Sequence, residues 1–321
     1  MLFSSKVEAI YRKRLYGRSD DMGTAFYYSA EDFPGLEREP FSFASPMGHR
    51  MQGYFYHFGS PEPGRVVVFD HGMGGGHRSY LKEIALLARR GYLVFAYDHT
   101  GCMESGGEGT NGFAQSLCDL NACLNVLKDH PRCAGCTFSV IGHSWGAYAC
   151  LNIPAFHPEV RHVVAISGFV SVAQMLRQTL GGPLCFYRKA AFGWEKAANP
   201  DYAACSAAES LRNTDAKVLV IHSADDPVVK AKLHFRALRA ALAGRENIRF
   251  LEVKGKGHNP NYTEDAVRYK RAYLAQLSRR LKRGTLSGEE QKRKFVAGFD
   301  WNRMTAQDEA VWREIFAALE S

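Results

Sequence analysis

The sequence predicts an α/β fold, a doubly wound, mostly parallel sheet of eight strands that carries a small helical cap. Two observations indicate this fold. Short apolar runs rich in β-branched residues, typical of strands buried on both faces, alternate with long helix-compatible stretches. Glycine-rich polar segments follow several of these runs, which places those segments at the carboxyl edge of a parallel sheet.

The elements follow one another in an order that suits such a sheet. An exposed helix is predicted over 6–16, and the alternating segments 41–45 and 51–58 predict two edge strands joined by a turn. Buried strands are predicted over the apolar runs 66–69, 92–97, 138–141, 162–167, 217–221 and 248–253. Helices predicted over 79–90 and 114–127 provide the crossovers that parallel strands require.

The pattern changes in the segment 172–213, which is rich in alanine and aromatic residues and carries no strand signal. We interpret this segment as a cap, with an ordinary long crossover as the alternative. The chain then divides into an N-terminal helix and loop (1–40), a core in two parts (41–171 and 214–283), the cap insertion (172–213) and a C-terminal helical extension (284–321).

The C-terminal extension contains apolar residues at helical spacing, which must be buried somewhere. They are Val311, Trp312, Ile315, Phe316 and Leu319. Packing on the core of the same chain is the favoured prediction. A homodimer that pairs through this extension is the alternative.

The composition argues against several classes of protein. No apolar run is long enough to span a bilayer and the N-terminus lacks a continuous hydrophobic signal region, which predicts a cytoplasmic protein without a membrane span. Much of the net charge of +8 comes from a late basic stretch with the spacing of a solvated helix face, and no nucleic-acid-binding motif accompanies it.

The cysteines indicate neither a disulfide framework nor a metal site. Most of the eight lie inside predicted strands or helices, which predicts free buried thiols. The pair Cys133 and Cys136 has no second pair at zinc spacing, so we expect two incidental loop thiols and no metal.

One segment dominates the functional interpretation, FSVIGHSWGAYAC between Phe138 and Cys150. A strand that ends in GxSxG and turns directly into a helix is typical of a nucleophile elbow. Ser144 would sit in a strained backbone conformation, and Gly142 and Gly146 would remove clashes across the turn. The serine would stand at a helix N-terminus, which favours developing negative charge.

The glycine-rich segment HGMGGG follows the strand 66–69 and has two interpretations. A phosphate-binding loop is disfavoured because the lysine and the serine or threonine of a P-loop are missing. We therefore predict that the backbone N–H of Met73 and that of Trp145 form an oxyanion hole. The side chain of Met73 is expected to form a wall of the pocket.

The partners of Ser144 are predicted from the loops after the last two strands. His258 lies in the segment KGKGHNPNY, where Gly255 and Gly257 would let it turn back over the serine. The acid is Asp226 or Asp225; we favour Asp226 because Pro227 fixes the loop after it. The order serine, aspartate, histidine is the one expected of this kind of sheet.

Taken together, GHSWG, HGMGGG, DHTGCMESGG, DDPVV and GKGH occur in the order of the α/β-hydrolase superfamily. The chain most resembles its cytoplasmic bacterial esterases, monoacylglycerol lipases and serine aminopeptidase-like enzymes, over about 41–282. The resemblance implies a triad of Ser144, Asp226 and His258 and no cofactor. Six residues are expected to contact a small-molecule substrate: His71, Gly72, Cys102, Phe186, Tyr187 and Trp194.

The expected function is hydrolysis of carboxylic esters with mid-sized acyl or aryl groups through an acyl-enzyme intermediate. Amidase or peptidase, thioesterase and acyltransferase activities would use the same residues and stay open. A non-catalytic ligand-binding protein on this scaffold is less favoured, since binding alone does not require all three triad residues. A nucleotide-binding protein that uses HGMGGG is a third alternative.

Overall fold

The computed structural model describes residues 2–321, with side chains from residue 6 onward, and an eight-stranded sheet forms its centre. The strands are β1 (Leu36–Ala44), β2 (Arg50–Phe58), β3 (Arg65–Asp70), β4 (Leu93–Tyr97), β5 (Thr137–His143), β6 (His162–Ile166), β7 (Lys217–Ser223) and β8 (Ile248–Val253). Their order across the sheet is β1-β2-β4-β3-β5-β6-β7-β8. β1 with β2 and β2 with β4 pair antiparallel, and all other pairs are parallel, which confirms the predicted fold.

The strand β1 begins at Leu36, earlier than the predicted start at residue 41. The added residues include Glu37, Arg38, Glu39 and Pro40, which do not have strand-like composition. They pair with β2 nonetheless, because β1 lies at the edge of the sheet, where one side of the strand needs no partner. Edge position thus tolerates charges and a proline that a central strand would exclude.

Helices surround the sheet and fill its connections. They are α1 (Leu2–Leu15), α2 (Leu81–Arg89), α3 (Gln115–Lys128), α4 (Trp145–Asn152), α5 (Val172–Thr179), α6 (Arg188–Ala198), α7 (Ala207–Ser210), α8 (Phe235–Ala241), α9 (Glu264–Lys282), α10 (Glu289–Ala297), α11 (Trp301–Met304) and α12 (Glu309–Leu319). The segment 172–213 between β6 and β7 holds α5, α6, α7 and a 3₁₀ helix, Gly182–Tyr187.

Two apolar clusters cover the two faces of the sheet. One face packs against α3 and α4, and the other against α2 and α12. In α12, Val311, Trp312, Ile315 and Leu319 are buried in the second cluster, beside residues of β6 and β7. The apolar face of the C-terminal helix is therefore covered by its own chain.

The N-terminal helix is less exposed than predicted. The ring of Tyr11 is buried against Trp194 of α6, with 5.3 Å between the ring centroids. Its hydroxyl donates to the carboxylate of Glu195, at 2.7 Å. The second carboxylate oxygen of Glu195 accepts from the N–H of Phe113, at 2.8 Å. The helix α1 therefore packs against α6 of the segment 172–213, and Glu195 of α6 joins it to Phe113.

Two expectations from composition can be compared with the fold. Five of the eight cysteines are buried as free thiols, as predicted, and the other three are half-buried free thiols. Across residues 2–321, no helix combines the length and the apolar character needed to cross a membrane.

Candidate active site

Ser144 occupies the sharp turn between β5 and α4. Its φ of 56° and ψ of −106° are a strained conformation for a residue other than glycine. A Cβ on Gly142 would lie 2.5 Å from the carbonyl carbon of Gly146, so this glycine prevents a clash across the turn, as predicted. A Cβ on Gly146 would instead collide with the backbone carbonyl of Asp70 at the end of β3. The neighbouring strand, rather than the turn itself, requires the second glycine.

The side chains of Ser144, His258 and Asp226 form a continuous hydrogen-bonded chain. The Ser144 hydroxyl lies 2.9 Å from Nε2 of His258, and Nδ1 of His258 lies 2.8 Å from Oδ2 of Asp226. When the imidazole carries its proton on Nδ1, this N–H donates a hydrogen bond to the carboxylate, and Nε2 is free to accept a hydrogen bond from the serine hydroxyl. The structure thus gives the three residues the contacts of a nucleophile, a base and an orienting acid.

Asp226 is nearly inaccessible to solvent, with 5% exposure, and its carboxylate is fixed on both oxygens. Oδ1 accepts from the N–H groups of Val228 and Val229, at 2.8 and 3.0 Å, while Oδ2 faces His258. His222 also lies 3.4 Å from Oδ2, and its Nε2 donates to the carbonyl of Val229, at 2.8 Å. These bonds hold one carboxylate oxygen towards His258.

Asp225 has a different environment. Its Oδ1 accepts from the Ser223 hydroxyl at 2.5 Å and from the N–H of Gly255 at 2.9 Å. These bonds and that of Gly257 lower the pKa of Asp225 against the opposing effect of burial. Asp225 therefore supports the loop that leads to His258 and does not itself contact the imidazole.

The two predicted oxyanion donors, Trp145 and Met73, come from different parts of the chain. Trp145 begins α4, so its N–H belongs to the first turn, where a helix leaves its donors without intrahelical partners. Met73 lies in the loop after β3, and its N–H donates to no other residue within the described chain. Neither amide is thus committed to another residue, and their role as an oxyanion hole stays a prediction.

A second hydrogen-bonded chain joins the oxyanion loop to the loop of His258. The N–H of Gly72 donates to the Tyr80 hydroxyl at 3.2 Å, and that hydroxyl lies 2.9 Å from Nδ1 of His143. Nε2 of His143 donates to the backbone carbonyl of His258, at 2.7 Å. Burial lowers the pKa of His143, which keeps the ring neutral and able to accept at Nδ1. Sequence reasoning missed Tyr80, because nothing in its local pattern indicates this contact.

A fully buried charged network lies beneath the elbow. His99 has Nε2 2.6 Å from Asp70 and Nδ1 3.3 Å from Asp119, and its ring packs 4.7 Å from that of Trp145. Burial acts to lower the pKa of His99, but the two carboxylates overcome this effect and raise it to about 10. The imidazolium therefore anchors the ends of β3 and β4 below the serine.

The six residues predicted to contact substrate have diverse surroundings. His71 is fully buried, and its Nε2 accepts from the N–H of His99 at 3.0 Å, so it has a structural contact inside the core. Cys102 is also fully buried, which removes it from any accessible surface. Gly72 has no room for a side chain, because a Cβ there would lie 2.5 Å from the Tyr80 hydroxyl.

The three aromatic residues of the cap also differ from one another. Trp194 packs against Tyr11 of α1. Tyr187 is half-buried, whereas Phe186 is 86% exposed. Exposure on this scale leaves Phe186 without contacts that would fix it towards the serine, and its role in substrate binding stays a prediction.

Comparisons with known proteins show what the chain is similar to. The family described as "Serine aminopeptidase, S33" matches residues 61–199. The uncharacterized protein YqkD of Bacillus subtilis is 28% identical over 127 residues, 40% of this chain and 41% of that protein. The putative carbamate hydrolase RutD of Klebsiella pneumoniae is 30% identical over 122 residues, 37% of this chain and 44% of that protein. The chain thus aligns with less than half the length of these curated relatives.

Solved structures share the fold at low sequence identity. An esterase of Pyrococcus furiosus superposes with a TM-score of 0.59 at 17% identity, over 84% of this chain and 98% of that chain. A putative dienelactone hydrolase of Klebsiella pneumoniae gives 0.56 at 16% identity, over 89% and 99%. Together with the sheet order described above, these structures show that the chain has the α/β-hydrolase fold, and the family match covers the turn at Ser144.

Proposed function

We propose that this protein is a serine hydrolase that cleaves carboxylic esters with mid-sized acyl or aryl groups. The observation that carries the proposal is the chain from Ser144 through His258 to Asp226, with distances of 2.9 and 2.8 Å. A serine hydroxyl at its ordinary pKa is a weak nucleophile, and a base within hydrogen-bond reach activates it. A role in ligand binding alone would not require this arrangement.

The reaction follows from the positions of the groups. His258 accepts the proton of Ser144 through Nε2 as the serine oxygen attacks the ester carbonyl, and Asp226 stabilises the imidazolium that forms. The N–H groups of Met73 and Trp145 bind the developing oxyanion. The imidazolium then protonates the leaving alcohol, which produces an acyl-enzyme. Water that His258 deprotonates releases the acid and restores Ser144.

The names of similar proteins bear on the class of bond that is cleaved. They include esterase, putative dienelactone hydrolase, putative carbamate hydrolase and serine aminopeptidase. All of these names describe attack on a carbonyl group, and the proposed site provides the groups for it. We place the ester first because its alcohol leaves more readily than an amine, so the ester makes the smallest demand on the acid that protonates the leaving group.

The proposal is tested with p-nitrophenyl esters of increasing acyl length and with a fluorophosphonate probe, on the wild type and on Ser144→Ala. We expect turnover and labelling of Ser144 in the wild type, and a fall in kcat of about 10⁴-fold or more in the variant. A p-nitrophenyl carbamate and an anilide of the same acyl group compare the bond classes. A wild type that is neither labelled nor active on any of these substrates would overturn the proposal.

A further inference from the structure

A cavity of about 330 Å³ is lined in part by close sequence neighbours of Met73 and His258 and has no role in the mechanism above. Gly74 of the segment HGMGGG and Ser79 of the following 3₁₀ helix, His77–Tyr80, form one wall, and Tyr262 and Lys270 form another. The cavity therefore touches both the loop that carries Met73 and the segment that follows His258. Its position suits a part of the substrate that extends away from the reacting carbonyl.

The remaining walls come from segments near the two ends of the chain and combine aromatic and aliphatic side chains. Phe26 and Tyr27 belong to the N-terminal loop, and Tyr273 and Trp301 belong to the helices after β8. The family match over residues 61–199 includes none of these four residues. Apart from Gly74 and Ser79, the lining of the cavity comes from parts of this chain that lie outside the matched region.

Lys270 is the cation in this aromatic enclosure. Its Nζ lies 3.1 Å from Oδ1 of Asn259 and 5.1 Å from the centre of the Tyr262 ring. Within the described chain, no carboxylate lies within ion-pair distance of this ammonium group. By contrast, Lys256 pairs with Asp308. A half-buried ammonium without a carboxylate partner loses hydration that an anionic ligand could replace.

Two acidic side chains, Glu83 and Asp20, contribute to the charge around Lys270. Burial lowers the pKa of Lys270, and the carboxyl group of Glu83 opposes this effect. Glu83 is itself buried, which raises its pKa, and its Oε1 accepts from Asn261 at 3.2 Å. Asp20, on the wall of the cavity, pairs with Arg18 at 2.8 Å. Within the described chain, neither acid forms an ion pair with Lys270, and the Oε2 atom of Glu83 is buried without a hydrogen-bond partner.

We propose that the cavity binds a carboxylate carried by the substrate, with Lys270 as its counter-ion and the aromatic walls around the apolar group that bears it. This inference rests on the proposed function, and it narrows the substrate class to esters with a second, anionic end. Asn259 connects the two sites, since it follows His258 in the chain and contacts Lys270 through its side chain. The carboxylate would stay intact while the ester at the other end is cleaved.

The kinetic test uses two matched pairs of esters. On the acyl side, a mono-p-nitrophenyl ester of a dicarboxylic acid is compared with the p-nitrophenyl ester of the monocarboxylic acid of equal length. On the alcohol side, 4-acetoxyphenylacetate is compared with p-tolyl acetate. We expect the wild type to prefer the anionic member of one pair. In Lys270→Met, the ratio of kcat/KM between the anionic and neutral members should fall roughly tenfold.

The controls separate charge from general damage. Lys282→Met removes an exposed lysine from the same helix and should keep the wild-type ratio, and Lys270→Arg should retain part of the preference. If Lys270→Met does not fold, the wild type alone still tests the inference. Its preference for the anionic ester over the neutral ester should weaken with added salt, because salt screens the attraction between the two charges. A wild type without any anionic preference, or a ratio unchanged in folded Lys270→Met, would overturn the inference.

A binding measurement keeps this inference apart from the proposed function. In Ser144→Ala, calorimetric titration with 4-hydroxyphenylacetate should show binding that weakens roughly tenfold when Lys270→Met is added. This result does not depend on turnover. Ester hydrolysis with labelling of Ser144 but no effect of Lys270 would reject the carboxylate site alone. Absence of both turnover and labelling would reject the proposed hydrolase function. The binding measurement alone would then show whether the cavity binds a carboxylate.

Discussion

At the scale of single residues, Asp225 and Asp226 are adjacent carboxylates that contact different partners. Asp226 orients His258, whereas Asp225 binds the backbone of the loop before it. We expect Asp226→Asn to lower kcat by about 10³- to 10⁴-fold, because the amide cannot stabilise the imidazolium and favours the wrong tautomer. KM should change little. Steady-state kinetics and the rate of fluorophosphonate labelling measure both effects.

Asp225→Asn is the matched control, since it makes the same chemical change one residue away. It should lower stability through the weaker bonds to Ser223 and Gly255, by about 1–3 kcal/mol, while the kcat of the folded fraction changes far less than in Asp226→Asn. Equal losses of kcat in the two variants would contradict the separate roles assigned to them here.

At the scale of elements, α12 closes one face of the sheet. Ile315 has 0% exposure and packs in the cluster that contains residues of α2, β6 and β7. We expect Ile315→Ala to lower the free energy of unfolding by about 2–5 kcal/mol, because it leaves a cavity that a packed core cannot refill. Urea titration followed by circular dichroism measures the change.

The matched control is Arg313→Ala, two residues away on the exposed side of α12, which should change the free energy of unfolding by less than about 0.5 kcal/mol. The same pair of variants addresses the dimer that the sequence left open. If Ile315→Ala converted a dimer into a stable monomer without loss of stability, the assignment of this face to the core of its own chain would be wrong.

The elements also show how far sequence reasoning extends. Central strands such as β5 and β7 were predictable because apolar, β-branched runs leave few alternatives to a buried strand. The start of β1 was not, since its charges and Pro40 are acceptable only at a sheet edge. The local sequence pattern predicts a strand when the whole strand is buried. It does not predict where a strand begins or ends when this depends on neighbouring strands in the sheet.

Some features of the candidate site could likewise be predicted from the sequence, and others could not. The turn at Ser144 was predictable because the turn itself requires Gly142 and the neighbouring end of β3 requires Gly146, and the choice of His258 followed from strand order. The contacts of Tyr80 with His143 and of Lys270 with the cavity were not predictable, because they join segments that are distant in the sequence. Pairings of this kind leave no periodic signal in either segment.

At the scale of the whole molecule, three fully buried ionisable side chains lie at a place where the ends of β3 and β4 meet α3. Asp70 ends β3, His99 follows β4 and Asp119 lies in α3, and all three have 0% exposure. Tyr97 and Thr100 complete the network with bonds to the two carboxylates. Because these groups come from different elements, the charge state of His99 affects the stability of the whole fold rather than one loop.

The raised pKa of His99 predicts how stability depends on pH. A group whose pKa is about 10 in the folded chain and near 6.5 in the unfolded chain stabilises the fold fully below the lower value and loses its contribution as pH rises towards the upper one. We expect His99→Gln to be less stable than the wild type by about 3–5 kcal/mol at pH 6, because it leaves two buried carboxylates without their cation.

The difference in free energy of unfolding between the two proteins should shrink as pH rises from 6 to 9.5, since the wild type loses the His99 proton over this range. Urea titrations at several pH values measure this difference, and the effects of titrating groups outside the network of Asp70, His99 and Asp119 cancel because both proteins contain them. His49→Gln, in the turn between β1 and β2, controls for the loss of a histidine and should follow the wild type. A difference that stays constant with pH would show that His99 contributes packing and hydrogen bonds but not charge.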